Sequence, residues 1–103
     1  MTPNPQSEME QVRANALEAE RYLKGIGNHK RLMILCVLMD RELSVGEINA
    51  QIDLSQSALS QHLAVMRELG FLATRKEAQV VYYRVVDDKV SSLLDALYQT
   101  FCQ

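Results

Sequence analysis

Glycine and proline are scarce, four and two of 103 residues, so the chain is neither a disordered tail nor a low-complexity linker. No glycine-rich phosphate loop, HExxH or GxSxG occurs, which removes the commonest enzyme signatures. Cysteine is limited to Cys36 and Cys102. No CxxC motif is present to lower a thiol pKa, and a thiol redox enzyme is disfavoured accordingly. Long apolar runs are missing too: the longest, Leu32 to Met39, has eight residues, against ~20 for a membrane span. The opening MTPNPQSEME is acidic and polar, unlike a secretory or mitochondrial leader. A soluble, cytoplasmic, non-enzymatic protein is expected.

Apolar residues make up 48% of the chain and charged residues 23%. The length suits one domain. A domain of this size buries only ~65% of its unfolded surface, so pairing with a second copy would help its stability. The net charge of −2 argues on its face against a nucleic-acid partner. Locally the balance differs. Between Leu54 and Val86, Arg67, Arg75, Lys76 and Arg84 outnumber Glu68 and Glu77, which is compatible with one phosphate-facing surface on an acidic body.

Apolar spacing predicts a helix over 7–25, with Met9, Val12, Ala16, Ala19 and Leu23 stepping by three and four. Ser7 and Glu10 read as its capping box, Gly25 and Gly27 as its stop, and residues 1–6 as a flexible leader. Asn28 can cap a second helix, Lys30 to Met39, whose apolar residues run almost all round, as in a central helix. Ser44 and Glu47 form another capping box before a short helix burying Val45, Ile48 and Ile52. Asp53-Leu54-Ser55 makes a turn, and Ser55 caps a helix to Leu69 that buries Leu59, Leu63 and Met66. Phe71–Lys76 and Val80–Val86 alternate as a hairpin around Glu77-Ala78-Gln79, with Tyr82 and Tyr83 packing on it. Asp87 or Asp88 caps a last helix over 88–102, striped by Val90, Leu94, Leu97 and Phe101, with Leu93 beside it. The expected order is α-α-α-α-β-β-α, a winged helix-turn-helix with the helix-turn-helix at 44–69 and the wing at 71–86. The first and last helices keep spare apolar stripes suited to a homodimer.

The outward face of the helix after Ser55 carries Gln56, Ser57, Ser60, Gln61 and His62. An ordinary solvated face alternates charges. This one offers neutral hydrogen-bonding groups that can read base edges in a major groove. Thr74, Arg75, Lys76, Gln79 and Arg84 on the hairpin suit phosphate or minor-groove contact. The expected partner is a near-palindromic duplex bound by a homodimer.

From about Tyr22 onward the sequence resembles the ArsR/SmtB family of dimeric winged-helix repressors, on LSQSALSQHL and KEAQVVYYRV above all. The resemblance implies DNA contact by Gln56, Ser57, Ser60, Gln61 and His62, with the wing around Lys76 and Gln79. His29 departs from the proline common at that position, a change that bears on capping alone. Where metal sensors of the family carry paired thiols, this chain has Glu42-Leu43-Ser44-Val45-Gly46-Glu47-Ile48, and its last helix has no histidine. Neither a metal site nor a cofactor is expected. Cys36 and Cys102 match, in position, the thiols of the persulfide- and oxidant-responsive subgroup. That implies a switch in which a disulfide or polysulfide bridge weakens operator binding. Three alternatives stay open: a family member with inert thiols answering to another ligand or none, a small thiol redox enzyme, and a protein–protein adaptor reusing the fold.

Overall fold

A computed structural model describes residues 5–102. In chain order the elements are α1 (Pro5–Ile26), α2 (His29–Val37), β1 (Leu43–Ser44), α3 (Val45–Gln51), α4 (Gln56–Glu68), β2 (Leu72–Glu77), β3 (Val80–Val85) and α5 (Asp88–Phe101). Side chains cap four helices as expected. Asn28 accepts from the amides of Lys30 and Arg31, and Ser55 accepts from Ala58 N. Ser44 and Glu47 form the reciprocal capping box, while Asp87 accepts from Lys89 N and Val90 N. Each cap satisfies amide donors that a helix start leaves without intrahelical partners.

The core is one cluster in which Ile34, Leu35, Leu38, Ile48, Leu59, Leu63, Met66, Phe71 and Val90 are fully buried. The sheet has three strands in the order β1-β3-β2, all antiparallel. The two-residue β1 was not expected. It pairs Leu43 with Tyr83 and Ser44 with Tyr82, covering part of the outer edge of β3. The hairpin turns at Ala78 and Gln79, between the paired Glu77 and Val80.

Three expectations are corrected. Helix α1 starts at Pro5, so Ser7 and Glu10 lie inside it rather than at a cap; proline fits a first helical turn, where no amide donor is needed. Of the leader expected to be flexible, residues 1–4 lie outside the described residues. Gly25 does not stop α1 through a left-handed conformation: it is a buried helical residue. A Cβ there would lie 2.4 Å from Phe71 Cε2, so close approach is what requires glycine. Finally, α2 is not enclosed on every face. It buries Ile34 and Leu35 but leaves Met33 and Cys36 exposed, because only one side of it meets the core.

Candidate nucleic-acid interface and thiol pair

The turn between α3 and α4 is held by Asn49, whose Nδ2 donates to Leu54 O at 2.8 Å and to Ile52 O at 3.5 Å. Two turn carbonyls are thereby satisfied and the crossing of the two helices is set. Leu59, Leu63 and Met66 anchor one side of α4 in the core. Gln56, Ser57, Ser60 and Gln61 are all exposed on the other, beside the amides of the first turn. Their amide and hydroxyl groups have the donors and acceptors that base edges and phosphates require. His62 differs: it is half-buried on the flank toward α2, and its Nδ1 accepts from Arg31 Nε at 3.2 Å.

On the wing, Lys76 and Gln79 are exposed near the tip. Arg75 is not free for phosphate as the sequence suggested. It is ion-paired with Glu42 and Glu77 and lies over the Tyr82 ring, 4.8 Å from its centroid. The Arg75 hydrogen bond, with burial opposing it, holds the Glu42 carboxyl below its usual range. Arg84 is exposed and contributes positive charge toward the same carboxylate. Thr74 is half-buried. Tyr83 packs against the core, while Tyr82 supports Arg75.

Sequence reasoning missed Arg21, Arg31 and Asn49. Arg21 donates to Leu69 O, the cap of α4, and stacks over Tyr22 and Phe71. Asn49 lies within five residues of its acceptors, so its turn role could have been sought locally. The arginine contacts cross 48 and 31 positions and carry no local signal.

Both thiols are exposed and free. Cys36 lies in the last turn of α2, and Cys102 is the C-cap of α5, with its amide donating to Tyr98 O. Partial desolvation pushes the Cys36 thiol up, and negative charge at Cys102 pushes it further the same way. Among the described residues no group of three or more His, Cys, Asp or Glu could hold a metal ion. Nor, among them, is any helix long and apolar enough to cross a membrane.

Comparison with known proteins bears on this geometry. Residues 28–74, from α2 through the helix-turn-helix into β2, match the family described as bacterial regulatory protein, arsR family. The chain is 45% identical to the transcriptional activator HlyU of Vibrio cholerae, over 92% of its own length and 88% of that protein's. The chain belongs to the ArsR family. Another ArsR-type relative, the biofilm growth-associated repressor of Agrobacterium fabrum, is 45% identical over 84% of this chain and 74% of its own. Reduced HlyU from Vibrio cholerae superimposes with a TM-score of 0.87 at 46% identity, covering 91% of this chain and 99% of that one. The repressor BigR from Xylella fastidiosa gives 0.84 at 39%, covering 92% and 97%. The fold is that of the winged-helix ArsR regulators, and the activity to be explained is regulation of transcription through DNA.

Proposed function

We propose that the protein is a homodimeric, DNA-binding transcriptional repressor. Oxidation or persulfidation of Cys36 and Cys102 switches its affinity for a near-palindromic operator. The observation that carries the DNA half is the open row Gln56, Ser57, Ser60 and Gln61 on a helix whose other side is locked into the core. Lys76 and Gln79 at the wing tip suit the flanking backbone or minor groove. His62 belongs to the same helix, with its ring turned to Arg31.

The dimer is supported by what α1 leaves uncovered. Of its 22 residues, only Tyr22, Gly25 and Ile26 are buried. Met9, Val12, Leu17 and Leu23 are exposed, as are Tyr98 and Phe101 on α5, Phe101 at 76%. A groove of about 600 Å³ between α1 and α5 is lined by Ala19, Tyr22, Leu23 and Leu93 among others. A second copy covering these stripes places two α4 helices about a symmetry axis, and a near-palindromic operator follows.

The switch is supported by two exposed, free thiols, with charge at Cys102 acting on the Cys36 thiol. A peroxide- or persulfide-class oxidant would take two electrons and two protons from the pair to form a disulfide, or leave extra sulfur in a longer bridge. Such a bond ties the end of α5 to α2. Relatives are named both activator and repressor; operator position relative to the promoter sets that sign, so the shared step is binding and release.

The test uses reduced protein and a near-palindromic duplex selected from random DNA. Affinity falls steeply with added salt as counterions leave the phosphates. Gln56→Ala with Ser60→Ala abolishes binding while sedimentation still shows a dimer. Salt-insensitive binding, or binding unchanged in that variant, contradicts the proposal.

A further inference from the structure

Helix α4 carries a polar contact on the side away from its exposed row. Arg31, in the first turn of α2, donates from Nε to His62 Nδ1 at 3.2 Å and from Nη1 to Gly25 O at 3.3 Å. One guanidinium thus joins the C-terminal end of α1, the start of α2 and the middle of α4. We propose that neutral His62 is a positioning residue for DNA binding: it accepts from Arg31 and so fixes α4 against α1 and α2, and its protonation opens this clamp and weakens operator binding. The inference rests on the DNA-binding reading above.

The chemistry is set by lone pairs. A neutral imidazole offers one nitrogen as an acceptor, whereas an imidazolium has only donors. On protonation the Arg31 Nε–H loses its partner and faces a like charge. The charged groups acting on His62 are Arg31 and Lys30, both from α2, and both oppose a second positive charge. Partial burial, then Arg31, then Lys30 push its pKa below the ordinary imidazole value. The clamp is therefore closed at neutral pH and opens only in acid, below ~6.5. Had His62 instead touched a phosphate directly, acid would strengthen binding. The sign of the pH effect separates the two roles.

The experiment measures operator affinity by fluorescence anisotropy under reducing conditions at fixed ionic strength. It compares about pH 7.5 with about pH 5.5, on either side of the ordinary imidazole pKa. His62→Asn keeps an acceptor near the Nδ1 position and cannot be charged. Whatever its affinity at neutral pH, acid is expected to lower the parent's affinity about five- to tenfold more than that of this variant, the size of one hydrogen bond. Arg31→Met is expected to bind weakly at both pH values. Nitrogen NMR is expected to show His62 as the Nε2–H tautomer, titrating below the ordinary range. A parent that changes in parallel with His62→Asn, or gains affinity in acid, overturns the proposal, as does an Nδ1–H tautomer. If no duplex binds the parent at all, the DNA reading falls, while the tautomer and titration still decide whether the clamp exists.

Discussion

Gly25 shows how a hydrogen in place of a side chain lets α1 close onto a buried ring. Phe71 stacks on Tyr22 with ring centroids 5.2 Å apart and reaches under α1, where a Cβ on Gly25 would meet Phe71 Cε2 and Cζ at 2.4 and 2.8 Å. Phe71 is fully buried and cannot swing aside. Gly25→Ala is therefore expected to destabilise the fold by about 1–3 kcal/mol, despite the better helix propensity of alanine. Urea unfolding checks this, and a variant as stable as the parent would show that the helix can shift freely. At this scale the sequence is informative where partners are close in the chain. Asn28, Ser44, Ser55 and Asp87 cap helices by reaching two or three residues ahead. It is silent where partners are distant: Gly25 reads as a helix stop until Phe71 is seen against it. Arg75 likewise reads as a free cation until Glu42, 33 positions earlier, is found beside it.

Among the elements, α5 is both capped and tied to α1 by one residue. Asp87 accepts from Lys89 N at 2.8 Å and Val90 N at 3.2 Å, and from Tyr22 OH at 2.7 Å, so it caps α5 and ties it to α1. Burial works to raise its pKa. The hydrogen bonds from Tyr22, Val90 and Lys89 and the charge of Arg21 outweigh that and hold the carboxyl below its ordinary value. A carboxylate depressed in the folded state contributes stability above its unfolded pKa of ~3.9, and the contribution is lost as pH falls through the folded value. Asp87→Ala is expected to cost about 1–2 kcal/mol at neutral pH, a gap that narrows in acid below about pH 4. Denaturant titrations at the two pH values check it, and a gap independent of pH would contradict the assignment. Helices and hairpin are legible in the sequence because their apolar periods are local. The strand β1 is not, since two residues have no period and its pairing with Tyr82 and Tyr83 is made across the fold.

At the scale of the whole molecule, the radius of gyration is 16.6 Å, against ~13 Å for a compact chain of this length. The excess belongs to α1, which reaches away from the core with its apolar residues uncovered. The sequence shows that stripe plainly but not what lies on it. In the proposed dimer, α1 and α5 form the shared body and α4 is the part that reads DNA, clamped to α1 and α2 through Arg21 and Arg31. The thiols lie on α2 and at the end of α5, so a bond between them would act on α2, one of the elements that hold α4. A coupling of about 1–3 kcal/mol there changes operator affinity about 5–150-fold.

The most direct test is operator affinity before and after persulfide or peroxide treatment, for the parent, Cys36→Ser and Cys102→Ser, with intact mass recorded on each sample. The parent is expected to lose affinity within that range while its mass shows two hydrogens lost or whole sulfur atoms gained, reversibly on reduction, and both serine variants stay bound. Release of either serine variant to the same extent as the parent would contradict the thiol switch.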